Sequence, residues 1–135
     1  MKLLATLMDD HLGALGSWGA AMIEPYSDNP SMKGTLLQSE ATLSNLISHF
    51  FKDGWQVVSH LLFAHHNEID TIKNTHCIGD YANHVILDIL EQQLQTYNVN
   101  ETRPRIEHAQ IIAEADIPRL GQLGGQSVQF PQEEL

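Results

Sequence analysis

Hydrophobic residues recur at helical spacing in two stretches of the chain. The first stretch follows Ser39, a residue that favours a helix N-cap, and ends near Gly54. The second runs from Asp80 to about Tyr97. Their apolar positions are Leu43, Leu46, Ile47, Phe50 and Phe51 in the first stretch, and Ile86, Ile89, Leu90, Leu94 and Tyr97 in the second. Each stripe is typical of a helix that buries one face, so the pattern predicts two amphipathic helices.

Short runs of β-prone residues lie between and after these helices. They are Trp55–Val58, Arg105–Ala109 and Ser127–Phe130. Between the last two runs, Asp116 and Pro118 suit the first turn of a short helix. Strands that alternate with helices favour a parallel sheet, so we predict an α/β fold. In such folds the functional groups gather at the carboxyl ends of the strands.

Residues 13–39 precede the first predicted helix and are rich in glycine, serine, proline and asparagine. This composition predicts a long ordered loop rather than a helix or strand. Long loops within a compact domain are often functional.

The balance of charged and apolar residues narrows the class of protein. Seventeen acidic residues against seven basic ones give a net charge of −10. This argues against a nucleic-acid partner, because phosphate binding needs a basic face. A single cysteine excludes an internal disulfide framework and fits a reducing compartment. No apolar run approaches the roughly 20 residues of a membrane span, so we expect a cytoplasmic protein without a membrane partner.

Two of the eight histidines fall where an α/β fold collects its functional groups. His76 precedes the second predicted helix, and His108 lies in a predicted strand. Imidazole suits zinc, iron, copper and nickel, although a single strand histidine is more often a structural residue. Cys77 adjoins His76, and adjacent strand residues face opposite sides of a sheet. We therefore expect Cys77 to be a small buried residue rather than a ligand.

A series of motifs gives the chain a resemblance to a known family. They are Gly-Ala-Leu-Gly-Ser-Trp-Gly-Ala-Ala at 13–21, Glu-Pro-Tyr-Ser-Asp at 24–28, His-Cys-Ile-Gly-Asp at 76–80, Arg-Pro-Arg-Ile-Glu-His-Ala-Gln at 103–110, and Asp-Ile-Pro-Arg-Leu at 116–120. The sequence resembles the amidohydrolase 3 group of the metal-dependent amidohydrolase superfamily over most of residues 13–130. The resemblance implies a partial (β/α)8 TIM barrel of the metal-dependent hydrolase type, with residues 1–135 forming one partial domain. It also implies an enzyme that hydrolyses the C–N bonds of non-peptide amides with metal-activated water.

The same resemblance implies the site residues. His76 and His108 correspond to metal ligands on successive strands, and the implied cofactor is a divalent metal, with zinc as the first expectation. Asp80 follows as a residue that either caps the second helix or orients His76. Glu107 would point away from His108 in a regular strand, so we do not expect it to be a ligand. The implied substrate is a small-molecule amide.

Several departures from the family pattern bear on whether this chain is active by itself. The family opens its barrel with a His-x-His pair and closes its site with an aspartate on the last strand. These 135 residues contain no His-x-His pair, and we do not expect them to include that last strand. Lys2 is the only candidate for the family's metal-bridging lysine, and residues 6–12 separate it from the motif that follows. A complete barrel needs about 250 residues. A second hypothesis is therefore a non-catalytic truncated relic, or a mis-spliced product, of such an enzyme.

A third hypothesis is a small metal-binding module unrelated to catalysis. It rests on three histidines, His60, His65 and His66. Apolar residues surround these histidines, without a carboxylate or cysteine at matching spacing, so an ordinary structural role is favoured.

Residues 58–73 have the character of an insertion. Without them, Trp55-Gln56-Val57 would run directly into Asn74-Thr75-His76 as one strand. The Val-Ser pair that begins the segment can be encoded by a splice-donor sequence, and the codon of Lys73 can end in AG. We therefore hypothesise that the segment is a translated, unspliced intron.

An open piece of a parallel barrel is expected to self-associate. Its outer strands leave unpaired backbone groups that can pair with another chain. We also expect an exposed apolar helix face that contains Phe50 and Phe51.

Overall fold

Parallel pairing joins four short strands of the chain. The computed structural model describes residues 2–4, 15–59, 76–102 and 104–123. The strands are β1 Lys2–Leu4, β2 Trp55–Ser59, β3 His76–Cys77 and β4 Arg105–His108, and the helices are α1 Glu40–Lys52, α2 Asp80–Leu94, α3 Val99–Thr102 and α4 Ile117–Gln122. Single 3-10 turns span Leu15–Ser17 and Glu114–Asp116. The parallel strands and intervening helices agree with the predicted α/β class, and the predicted strand at 127–130 lies outside the described residues.

The strand order is β1-β2-β4-β3, and β4 pairs with both β2 and β3. Along β4 the pairs are Val58 with Arg105, Ser59 with Ile106, His76 with Glu107, and Cys77 with His108. The partners of β2 and β3 are thus consecutive residues of β4. Val58 and Ser59, the first two residues of the predicted insertion, belong to β2. Residues 60–73 lie outside the described part of the chain, and the insertion itself stays a prediction.

Helix α1 begins where the sequence predicts. The Ser39 hydroxyl accepts a hydrogen bond from the Thr42 N–H at 3.2 Å and caps the helix. The expectation of an exposed face containing Phe50 and Phe51 is wrong, because α1 packs against the core. Phe51 is 1 % exposed, and its ring centroid lies 5.5 Å from that of Tyr97, while Phe50 is partly buried against the same cluster.

Among the described residues, helix α2 supplies more buried side chains than any other element. Its core residues are Ala82, Val85, Ile86, Leu87, Ile89 and Leu90, and they pack with Ile47 and Phe51 of α1 and with Cys77, Ile106 and Ala109 at the strand ends. The predicted apolar stripe of α2 is therefore confirmed, although the helix ends at Leu94 rather than at Tyr97. None of the helices in the described ranges is long and apolar enough to cross a membrane.

Candidate metal centre

The carboxyl ends of β3 and β4 bring the two predicted metal ligands onto neighbouring strands. His76 lies opposite Glu107, and Cys77 lies opposite His108, so the two histidines are one register step apart. The side chains of His76 and Glu107 lie outside the described residues. The ligand role of His76 and the exclusion of Glu107 therefore stay predictions.

Strand β4 ends in two residues with left-handed backbone. The φ angles are 67° at His108 and 40° at Ala109. Neither is glycine, and this region costs a side-chain-bearing residue of the order of 1–2 kcal/mol. Ile106 is buried against α2, and regular alternation would direct His108 to that same side of the sheet. The left-handed backbone interrupts the alternation, so the regular strand assumed from the sequence does not hold at His108.

A buried amide ties the end of β3 to the chain that follows β4. The Nδ2 atom of Asn83 lies 3.2 Å from the carbonyl oxygen of Cys77, 3.0 Å from that of Gly79 and 2.9 Å from that of Ile111. The Ile111 N–H also donates to the carbonyl of Ile78 at 2.9 Å. Asn83 is 1 % exposed, so water does not compete for these bonds. The two motifs that carry His76 and His108 are thereby held together at their carboxyl ends.

Asp80 is the first residue of α2, and its carboxylate binds two backbone groups. Oδ1 accepts from the Ile23 N–H and from the Tyr81 N–H, both at 2.8 Å. Gly79 occupies the N-cap position and has no side chain to offer, so Asp80 supplies an acceptor at this helix end. The carboxylate also lies where the helix dipole favours negative charge. That Asp80 orients His76 stays a prediction, since the side chain of His76 is outside the described residues.

The long loop before α1 lies against the start of α2. The Ala82 N–H donates to the carbonyl of Ala21 at 3.4 Å, next to the bond between Ile23 and Asp80. A Cβ atom on Gly79 would lie 2.0 Å from the Ala21 carbonyl oxygen, so only glycine fits beside the loop there. The loop is ordered over residues 15–39, as its composition predicts, and it reaches the edge of the sheet where β3 ends.

Cys77 is buried in the core, as expected. Its side chain is 1 % exposed, and desolvation raises the pKa of its thiol to about 12. A neutral thiol is a poor metal ligand, because the thiolate is the binding form. The interpretation of Cys77 as a structural residue is therefore confirmed.

The donor chemistry of His76 and His108 fits a divalent metal that accepts imidazole, and zinc is one of these. Within the ranges that the structure describes, histidine, cysteine, aspartate and glutamate side chains form no group of three or more that could hold a metal ion. The side chain of Lys2 and the three histidines of the third hypothesis lie outside those ranges. The two predicted ligands thus constitute a partial donor set.

A second cluster of polar groups, which the sequence analysis did not anticipate, joins α2 to α4. Asp116 is 2 % exposed, and its carboxylate receives the Arg119 Nη1 at 2.7 Å and lies 2.9 Å from the His84 Nδ1. Arg119 also donates a hydrogen bond to each of two carboxylates of α2. Its Nη2 donates to Asp88, and its Nε donates to Glu91 Oε1 at 2.7 Å. The α2 members of the cluster are His84, Asp88 and Glu91, at positions i, i+4 and i+7 of the helix. This spacing puts them on one face, and it is the sequence signal that could have revealed the cluster.

The short helix predicted from Asp116 and Pro118 is present as α4, with Asp116 at its N-cap position. A helix does begin at Ile117, but the Asp116 carboxylate makes no capping hydrogen bond and instead faces His84 and Arg119. Burial alone would raise the pKa of Asp116, whereas hydrogen bonds and charge from Arg119 and His84 lower it below its usual range. The hydrogen bond to Glu91 is the main reason that the pKa of Arg119 is raised. The cluster therefore holds α4 against α2.

Two curated proteins are similar to this chain in sequence. The Arabidopsis thaliana Protein LONG AFTER FAR-RED 3 is 35 % identical over 111 residues, which is 82 % of this chain and 16 % of that protein. The Bacillus subtilis (strain 168) protein named "Putative amidohydrolase YtcJ" is 29 % identical over 111 residues, 82 % of this chain and 17 % of its own length. The chain thus spans less than one fifth of the length of these relatives. No protein-family model matches the sequence.

Two crystal structures are similar to this chain in fold. Both are uncharacterized metal-dependent hydrolases, one from Pyrococcus furiosus at 29 % identity and one from Pyrococcus horikoshii OT3 at 28 % identity. Each has a TM-score of 0.60 and covers 82 % of this chain, which in turn covers 19 % and 18 % of those chains. Sequence and structure together therefore relate the chain to the metal-dependent hydrolase superfamily.

Proposed function

We propose that the chain is part of a (β/α)8 barrel of the amidohydrolase 3 type that hydrolyses non-peptide C–N bonds. The observation that carries the proposal is the parallel pairing of β3 with β4, which puts His76 and His108 on neighbouring strands at the same edge of the sheet. Regular alternation would direct two residues one register step apart to opposite faces, but the left-handed backbone at His108 breaks that alternation. This is the edge at which barrel enzymes build their active sites. The similarity to metal-dependent hydrolases supports the same assignment.

In this proposal, His76 and His108 hold a divalent metal, with zinc the first candidate. When bound, such a metal polarises an amide carbonyl and lowers the pKa of a bound water toward about 7. The chain's own contribution is to fix the two imidazoles. Asp80 serves this by joining the start of α2 to the loop at Ile23, so that the β3–α2 junction is held from two sides. The substrate would be a small-molecule amide in the cytoplasm.

The alternative is a non-catalytic relic or mis-spliced product of such an enzyme. Its basis is that these 135 residues contain no His-x-His pair and supply His76 and His108 as the two predicted imidazole donors. Zinc enzymes of this general kind use at least three protein ligands. The enzyme and the relic differ in whether these residues support turnover once the remaining ligands are supplied.

A chimera distinguishes the two functions. The 135 residues would replace the corresponding segment of a full-length homologous barrel, and zinc-dependent hydrolysis of a panel of small amides would be assayed. We expect measurable turnover that His76→Ala and His108→Ala each reduce by more than the roughly 10- to 100-fold cost of an outer-sphere partner. His49→Ala, on an exposed part of α1, is the matched control and should leave the rate unchanged. A chimera that folds and binds zinc but shows no turnover would establish the relic.

A further inference from the structure

We propose that Asn83 is a positioning residue, which holds the main chain beside His76 and His108 in one relative arrangement. The inference rests on the proposed function, because it concerns the same pair of histidines. Asn83 reaches no substrate in this proposal and acts only through the backbone of the two motifs.

The first support is the placement of the three carbonyls that share the Asn83 Nδ2. The Cys77 carbonyl, at 3.2 Å, belongs to the residue directly after His76. The Ile111 carbonyl, at 2.9 Å, lies three residues after His108. One side-chain nitrogen thus bridges the ends of two strands that are far apart in sequence.

The second support is the strained exit from β4. The chain leaves the strand through the left-handed residues His108 and Ala109, with φ angles of 67° and 40°. Such backbone persists only where the surrounding structure holds it. Directly afterwards, Ile111 is bound through both of its backbone groups, its N–H to the Ile78 carbonyl at 2.9 Å and its C=O to Asn83. These bonds anchor the turn at His108 to the β3–α2 junction.

The third support is the chemistry of the amide. Within the described residues, the buried Asn83 Oδ1 has no hydrogen-bond partner, so the site uses the side chain as a donor only. Aspartate has nearly the same shape, but it would put a carboxylate among three carbonyl oxygens. The geometry therefore demands a short side chain with an N–H donor, which asparagine provides.

Hydrogen exchange of the whole chain without metal tests the anchoring directly. The Ile111 amide is compared with the Ile47 amide of α1 in the wild type, in Asn83→Ala and in Asn83→Asp. We expect both variants to speed Ile111 exchange at least tenfold relative to Ile47. The control is Leu90→Ala, which removes a buried side chain two turns further along α2 and should leave that ratio within twofold. An unchanged ratio in Asn83→Ala, or an equal change in Leu90→Ala, overturns the proposal.

Titration with Co²⁺, followed by its visible absorption, tests the consequence for the histidines. We expect Asn83→Ala to raise the Kd for Co²⁺ at least tenfold and Leu90→Ala to raise it less than twofold. A Kd that depends on both histidines but not on Asn83 overturns the positioning role. Binding that is absent, or that ignores His76→Ala and His108→Ala, counts against the proposed function, while the exchange of Ile111 still decides whether Asn83 holds the backbone. If Asn83→Ala does not fold, Asn83→Ser replaces it, because serine keeps a hydrogen-bond donor on a shorter side chain. We then expect the exchange rate of Ile111 relative to Ile47 to rise by less than tenfold over the wild type.

Discussion

His84 and Asp116 lie 32 residues apart in the sequence, and the His84 Nδ1 is 2.9 Å from one carboxylate oxygen of Asp116 and 3.1 Å from the other. The contact fastens α4 to α2 at a carboxylate that is almost completely buried. Arg119, in the first turn of α4, donates a hydrogen bond from its Nη1 to the same carboxylate at 2.7 Å. We therefore expect this contact to weaken in acid, because it needs Asp116 in its ionised form.

Asp116→Asn should lower the free energy of unfolding by about 1–3 kcal/mol at pH 7, since a buried hydrogen-bonded charge is lost. The folded-state pKa of Asp116 is lowered, so its contribution is complete above the usual carboxyl pKa of about 4 and disappears as the pH falls through the folded-state value. Urea unfolding at pH 7 and at successively lower pH should therefore show the difference between variant and wild type shrinking with acid. Asp88→Asn is the control, and at 57 % exposure it should cost less than about 1 kcal/mol. A difference that stays constant down to pH 2 would contradict this account.

Gly79→Ala should destabilise the chain by about 1–3 kcal/mol, because the new methyl group would collide with the Ala21 carbonyl. The atoms in the way are main-chain atoms of Ala21, and they cannot move aside without loss of the hydrogen bond from the Ala82 N–H. Gly121→Ala is the matched control: its Cβ meets nothing within 4 Å, and alanine in α4 should be neutral or stabilise by up to about 1 kcal/mol. Thermal unfolding of the two variants measures both effects. Equal melting temperatures for the two variants would show that the Ala21 carbonyl does not restrict the side chain at position 79.

Zinc binding by the 135-residue chain should be loose. Two imidazoles leave most of the coordination sphere to water, so the affinity should fall well short of the roughly 10–16 kcal/mol of complete structural zinc sites. Titration calorimetry should show the affinity reduced further by His108→Ala and by His76→Ala, and unchanged by His49→Ala. Tight binding that survives both of the first two changes would transfer the site to His60, His65 and His66.

The inserted segment can be tested by two deletions of equal length. Removal of residues 58–73 joins Val57 to Asn74, whereas removal of residues 60–75 joins Ser59 to His76. Val58, Ser59, His76 and Cys77 pair with four consecutive residues of β4, so on the insertion hypothesis the second deletion would join Ser59 and His76 at adjacent register positions. We therefore expect the second deletion to give the higher melting temperature, and both to support more turnover than the undeleted segment in the chimera. Equal activity with and without the segment would show that it is an accommodated loop.

Self-association should come from strand edges rather than from α1, because Phe50 and Phe51 pack into the core. Parallel strands at the edge of an incomplete barrel leave backbone groups available to a second chain. Size-exclusion chromatography should therefore show species larger than 15.1 kDa. A compact monomer with a cooperative melt would argue against a partial barrel. Substitution of Phe50 should not restore a monomer.

Local patterns in the sequence predicted α1, α2, α4 and an α/β fold, but not the short elements β1 and α3. The Ser39 cap, the apolar stripes of α1 and α2 and the β-prone run at Arg105 all lie where their spacing predicts, because each depends on residues within a few turns of one another. The burial of Cys77 agrees with strand alternation, which puts Cys77 on the opposite face of the strand from His76. The motifs around His76 and His108 were visible in the same way, as short runs of residues in order.

Tertiary structure decided the relationships between distant residues. The left-handed backbone at His108, the bridging of two strand ends by Asn83 and the pairing of His84 with Asp116 have no local signature, because the partners come from different elements. The face of α1 that contains Phe50 and Phe51 was expected to be exposed, but it is packed against the core. An apolar stripe in the sequence does not reveal whether another element covers it. Spacing along the chain specifies which residues share one face of a helix or strand, but only packing specifies what that face meets.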